Sequence, residues 1–360
     1  MQRQWIARPQ TLRSSVGFEP LEERRMLASL PELLVDFGED EDSVSSNGDG
    51  PPGYVQAGDQ AYFIATDGID GMQLWKTDGT SSGTVLVAGG FNGARLSSLA
   101  NVNGTIFFVT MSGEADAKLW KSDGTPGGAT IVKRLYSASN LVDVSGKVYF
   151  AGRNDDRGVE LWKSDGTEAG TVRVKDIYTG SSSSNPNRFT NVNGVLFFTA
   201  HSSAYGSELW KSDGTDAGTV LIKDIRPGVL GAGFGEVQQL AAVGDRVFFS
   251  ADDGTSGSEL WTSDGSPLGT WRVRDIYSGA WGSDPQNLTD IDGTLYFSAT
   301  TAAAGTEVWK SDGSESGTVM LKDLLPGSAN SRPGQFTLVG DNIFFGARNV
   351  GPGGTLWKTD

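Results

Sequence analysis

Few kinds of side chain in this sequence could do chemistry. Cysteine is absent, which excludes disulfides, thiol nucleophiles and Cys-ligated zinc together. His201 is the single histidine, so no site that needs a His pair exists, and no adjacent orienting group makes a hydrolytic triad around it. Carboxylates are plentiful. Asp155, Asp156, Asp252 and Asp253 fall in connecting segments, where a pair about 5 to 10 Å apart would suit a glycoside hydrolase or lyase. Glu39, Asp40, Asp42 and Asp49, with Asp67 and Asp70 further on, offer oxygens to a divalent ion such as calcium, which would relieve their mutual repulsion; a solvated acidic loop is the simpler reading. The Lys-Asp pairs Lys175-Asp176, Lys223-Asp224 and Lys322-Asp323, with Arg274-Asp275 in the same place, read as a solvated charge ladder on an outer strand.

The elements that position these groups are set by a repeat. A tryptophan preceded by an aliphatic residue or its equivalent and followed three positions later by Asp recurs at Trp75, Trp120, Trp162, Trp210, Trp261, Trp309 and Trp357. The spacing is 42 to 51 residues. Each unit holds four short strands bounded by Gly, Asn, Asp or Ser, as in Phe189 to Val192, Val195 to Ala200, Ser207 to Lys211 and Thr219 to Ile225. Apolar side chains occupy both alternating sets of the strand Val195 to Ala200, so the sheet must be covered on both faces. Without helices, only other sheets can cover it. The expectation is an all-β fold, a seven-bladed β-propeller of four-stranded antiparallel blades. The seventh unit ends at Asp360 with three strands, and the orphan Glu32 to Phe37 has the apolar pattern of a fourth, so an N-terminal strand is expected to close the last blade. The repeat tryptophans then belong to the core, and each Asp-Gly-Thr is a turn capped by its own Asp rather than a calcium loop.

The formal charge is −15, which argues against a nucleic-acid partner, since a phosphate backbone is held by clustered Lys and Arg. No apolar run approaches the ~20 residues needed to span a bilayer as a helix. Charge divides the chain: residues 1–28 form a basic leader with five Arg and three Glu, and residues 29–75 carry ten acids and no Lys or Arg. Residues 29–360 are expected to form the propeller, with 29–53 the closing strand plus an acidic crossover and 54–360 the seven repeats.

Two segments resemble known families. Glu208-Leu-Trp-Lys-Ser-Asp-Gly-Thr, with relatives starting at Glu160, Glu259 and Glu307, is similar to the ELWxxDGT repeat of bacterial secreted and surface proteins, some of them described as hyalin-like. Gln73, Lys118 and Thr355 replace the Glu in the other units. Phe18-Glu-Pro-Leu-Glu-Glu-Arg-Arg-Met-Leu27 resembles the FEPLExRxLL segment that opens many exported proteins of planctomycete-type bacteria. It lacks the apolar core of a standard secretory signal. The resemblances imply a propeller-like fold and an extracellular or cell-surface setting, and no defined activity.

Length variation between units locates function. The turns joining first to second and third to fourth strands barely vary, while the connections from second to third strands and from one unit to the next do. Strand alternation puts both variable sets on one face. That face is the expected contact surface for a glycan or protein partner, with no resident cofactor. Trp281 is the tryptophan there without a repeat position, in Ser278-Gly-Ala-Trp-Gly-Ser-Asp284. It is read either as a plug folded over the end of the barrel or as a stacking contact, the plug being favoured because large exposed aromatics are uncommon. Tyr205, Phe234 and His201 lie on connections of the same face. A binding or surface-structural module is expected, the alternative being a carbohydrate-active propeller enzyme.

Overall fold

The computed structural model of the chain describes residues 19–20, 54–155, 157–228, 238–349 and 354–360. Every regular element among them is a β-strand. They form seven four-stranded antiparallel sheets, each of strands adjacent in the chain except the last. Blade 4 shows the plan: Asn187–Val192, Val195–Ser202, Gly206–Ser212 and Val220–Leu221. Its first hairpin turns at Asn193 and Gly194, both with positive φ (50° and 86°), the geometry that matches the right-handed twist of the strands.

The first strands of successive blades contact one another, so they surround the central axis and the fourth strands lie outside. Register is uniform. A phenylalanine of the second strand faces the repeat tryptophan of the third in every blade, from Phe63 opposite Trp75 to Phe345 opposite Trp357. Trp162, Trp210, Trp261, Trp309 and Trp357 are each only 5–7% exposed, so these repeat tryptophans are core, as expected. Neighbouring side chains on one strand feed opposite cores: Leu209 packs between blades 4 and 5, and Trp210 between blades 3 and 4. That explains why the strands are apolar on both faces.

The seventh blade comprises Gly334–Val339, Asn342–Arg348, Gly354–Thr359 and an N-terminal fourth strand, Glu19–Pro20, paired antiparallel with Trp357 and Lys358. N-terminal closure is therefore present. The strand beside Thr355 to Thr359 is Glu19–Pro20, and residues 32–37, expected in that role, lie outside the described residues.

Candidate functional site: the variable face

The two faces are built differently. On the constant face the third strands of blades 1 to 6 end in capped turns. Asp213 Oδ1 accepts the backbone N–H (2.8 Å) and hydroxyl (2.7 Å) of Thr215, and the Thr215 hydroxyl accepts the N–H of Gly218 (2.9 Å). The same set recurs at Asp165 and Asp312. A Cβ on Gly218 would meet the Asp213 carboxylate at 2.1 Å, which is why the turn needs Gly five residues after Asp. Hydrogen bonds hold these exposed carboxyls below the usual range. The turn-capping reading holds.

The Lys-Asp pairs are not a solvated ladder. Lys175 Nζ donates to Asp216 O (2.9 Å), Lys223 Nζ to Thr270 O (2.8 Å) and Arg274 Nη1 to Thr318 O (2.6 Å), each reaching the constant-face turn of the next blade. Asp176, Asp224 and Asp323 each bury one carboxylate oxygen. The cation is thus a strut between blades.

On the variable face the repeat glutamate anchors the connection to the next blade. Glu160, Glu208, Glu259 and Glu307 are fully buried. Glu259 accepts the N–H of Ile276 (3.1 Å), Tyr277 (3.0 Å) and Ser283 (3.0 Å) and the Ser283 hydroxyl (2.6 Å). Glu160 takes Ile177 and Ser184 in the same way, and Glu307 takes Leu324 and Ser331. Burial pushes the Glu160, Glu259 and Glu307 carboxyls up, against the pull of these donors. The connections are therefore pinned, not floppy. The sequence carried the signal: a Glu followed by a Ser 24 residues later in three units.

Trp281 stands on one of these pinned connections, and its side chain is 80% exposed. It is therefore not a plug. Two residues on, Ser283 is held by Glu259, and Gly282 lies so close to Gly257 that a Cβ on Gly257 would meet Gly282 N at 2.4 Å. Asp284 N donates to Ser258 O (3.0 Å), fixing the other flank. The corresponding positions in the connections after blades 3 and 6 are Ser182 and Ala329, so the indole is an addition to a shared frame.

His201 is not in a loop. It lies within the second strand of blade 4, one residue before its end and opposite Ser207, with Nδ1 3.2 Å from the Ser207 hydroxyl, and its ring stacks on Tyr178 at 5.5 Å. Beside it a cavity of ≈ 260 Å³ is lined by Ser184, Asn185, Asn187, Thr199, His201 and Ser207, almost all of them amide, hydroxyl or imidazole groups. Tyr205 caps the adjoining hairpin and is 41% exposed. His201 and Tyr205 thus share one hairpin of blade 4, whereas Trp281 is carried by the connection from blade 5 to blade 6. Phe234 lies outside the described residues.

The loop acids are committed to local bonds. Asp252 pairs with Arg226 at 2.8 Å. Asp253 is partly desolvated, yet hydrogen bonds from Thr255 and Ser256 bring its pKa down to about 2, and Arg272 lies 3.7 Å away. Asp155 caps its own turn at the Arg157 N–H and lies 3.8 Å from Arg173; Asp156 is outside the described residues. Asp67 accepts the N–H of Ile69 and Asp70. Glu39, Asp40, Asp42 and Asp49 lie outside the described residues, and among those described no group of three or more acids or histidines is placed to hold a metal.

No family model and no curated protein matches the chain. Among solved structures it is similar to a prolyl endopeptidase (14% identity, covering 88% of this chain and 48% of that one, TM-score 0.54). It is also similar to oligopeptidase B from Leishmania major (12% identity, 85% and 46% covered, TM-score 0.55). The β-propeller domain of the trilobed protease from Pyrococcus furiosus matches as well (8% identity, 85% and 92% covered, TM-score 0.46). The chain spans about half the length of the first two. Likeness at such low identity bears on the fold alone, and the fold is a seven-bladed β-propeller.

Proposed function

We propose that this propeller is an exported, non-catalytic module that binds glycans through its variable face, with Trp281 as the stacking contact. The observation that carries the reading is an indole 80% exposed on a connection clamped by Glu259 and Gly257. Exposed apolar surface costs free energy, and a sugar ring stacked on the indole offsets it. A rigid base means little ordering entropy is lost on binding. The hydroxyl- and amide-lined cavity at His201, with Tyr178 and Tyr205 nearby, supplies the mixed aromatic and polar chemistry that saccharides favour. The extracellular setting rests on the resemblance of residues 18–27 to an export leader and of the repeat to surface proteins. A catalytic reading is less favoured because Asp155, Asp252 and Asp253 serve as turn caps or ion-pair partners, and the hydrogen bonds on Asp253 lower its pKa, the wrong direction for a general acid. A glycan-array screen of the intact chain and of Trp281→Ala tests this. Binding that is lost in the variant, at an unchanged melting temperature, supports it; an intact chain with no glycan ligand, or a variant that binds equally well, overturns it.

A further inference from the structure

Between neighbouring blades from 1 to 7 lie six buried apolar cores. A closed ring of seven blades has seven junctions. Among the described residues no such core joins blade 7 to blade 1, and the same register positions show the consequence. The residue preceding the repeat tryptophan faces the next blade and is 0% exposed in six units, Leu74, Leu119, Leu161, Leu209, Leu260 and Val308. In the seventh it is Leu356, 47% exposed. Val339, at the end of the first strand, is 58% exposed where Val192 of blade 4 is 4%. On the facing side, Tyr54 of blade 1 is 57% exposed, while its blade 7 counterpart Phe336 is 6%. A cavity of ≈ 690 Å³ lies along the forward face of blade 7, floored by Phe344 and Leu356 and rimmed by Gln335 and Thr337.

Both faces keep the apolar residue types of the six built junctions but lack the burial. We propose that the junction of blades 7 and 1 is a clasp: the forward face of blade 7 docks on the rear face of blade 1 of the same chain, and the open junction is one end of that motion. The occupant is the chain's own blade because the two faces are complementary in the pattern written six times elsewhere. Tethering within one chain also gives an effective concentration that a second molecule does not reach at ordinary dilution. Opening exposes the axis from the side. The inner strands there carry polar residues at a bulge with positive φ, including Asn140, Gln239, Asn287 and Gln335, all exposed. The clasp therefore provides lateral access to a polar channel, independently of what the variable face binds.

The lack of cysteine makes the test clean. Thr190 Oγ1 of blade 4 reaches the carbonyl of Leu240 in blade 5 at 3.5 Å, and Thr337 and Tyr54 hold the same two strand positions at the clasp. The intact chain carrying Thr337→Cys and Tyr54→Cys is oxidised at low concentration beside a control carrying Thr190→Cys and Leu240→Cys. The expected result is loss of both thiols in a monomer, with amide exchange of Asn342–Arg348 slowed on oxidation and restored on reduction. Disulfide-linked oligomers alone would assign the face to a second copy and overturn the proposal. Thiols that stay free while the control closes would mean that something else fills the junction, and would equally overturn it. Should the first pair impair folding, spin labels on Asp59→Cys and Asp341→Cys, both on exposed turns, read the same motion. Two distance populations support the clasp, and a single long distance contradicts it.

Discussion

At Glu259 one buried carboxylate satisfies three backbone N–H groups and a hydroxyl, so its removal leaves several donors unpaired at once. Glu259→Ala is expected to cost about 1–3 kcal/mol or more, read as a lower midpoint in denaturant unfolding. The pH dependence has a definite sign. Burial raises the Glu160, Glu259 and Glu307 carboxyls above their usual value of 4.5, so the native chain holds protons that the unfolded chain releases. Stability from this source is full below 4.5 and is lost as pH rises through the raised native value. Asp253 runs the other way: its contribution is present above 3.8 and is lost as pH falls toward about 2. Melting temperature measured from pH 4.5 upward should fall less steeply in the triple variant Glu160→Gln, Glu259→Gln, Glu307→Gln, whatever its midpoint; an unchanged slope would remove these groups as the cause. Trp281 makes the opposite residue-scale prediction, since truncating a side chain that is 80% exposed should leave the melting temperature within about 1 °C of the intact chain.

The connection that bears Trp281 can be separated from the strand that supports it. Gly257 has φ +66° and no room for a Cβ against Gly282, whereas Gly254, with φ +84°, has only the Arg226 side chain at 3.4 Å. Gly257→Ala should therefore cost the left-handed strain plus about 1–3 kcal/mol of overpacking and weaken binding at Trp281, while Gly254→Ala should cost the strain alone. Calorimetry of the two variants side by side checks this. Strands and turns were legible in the sequence because their causes are local: Asn193-Gly194 makes its own hairpin, and Asp213 caps its own turn. The Glu latch and the Lys struts were not, because their partners lie far along the chain: Glu259 bonds residues up to 24 positions away, and Lys223 bonds a carbonyl 47 away. Replacement of the Glu in three units also hid its structural role. The serines around His201 read as a loop, yet cross-strand pairing with Ser207 carries the strand through it.

At the scale of the whole ring, the repeat count, the core tryptophans and N-terminal closure follow from the sequence, and the closing strand itself is Glu19–Pro20. Removing residues 1–20 leaves the strand Gly354–Thr359 with an unpaired edge, so the truncated chain should melt lower or aggregate, as light scattering during a thermal ramp would show. Two-faced architecture also predicts where ligands go. Leu268 is 95% exposed on a constant-face turn and serves as the counterpart of Trp281 on the variable face. Glycan binding at Trp281 is tested most directly by a binding isotherm with the strongest array glycan for the intact chain, Trp281→Ala and Leu268→Ala. Affinity is expected to fall at least tenfold, about 1.4 kcal/mol, in Trp281→Ala and to stay unchanged in Leu268→Ala. Affinity lost only in Leu268→Ala, or in neither variant, would contradict it.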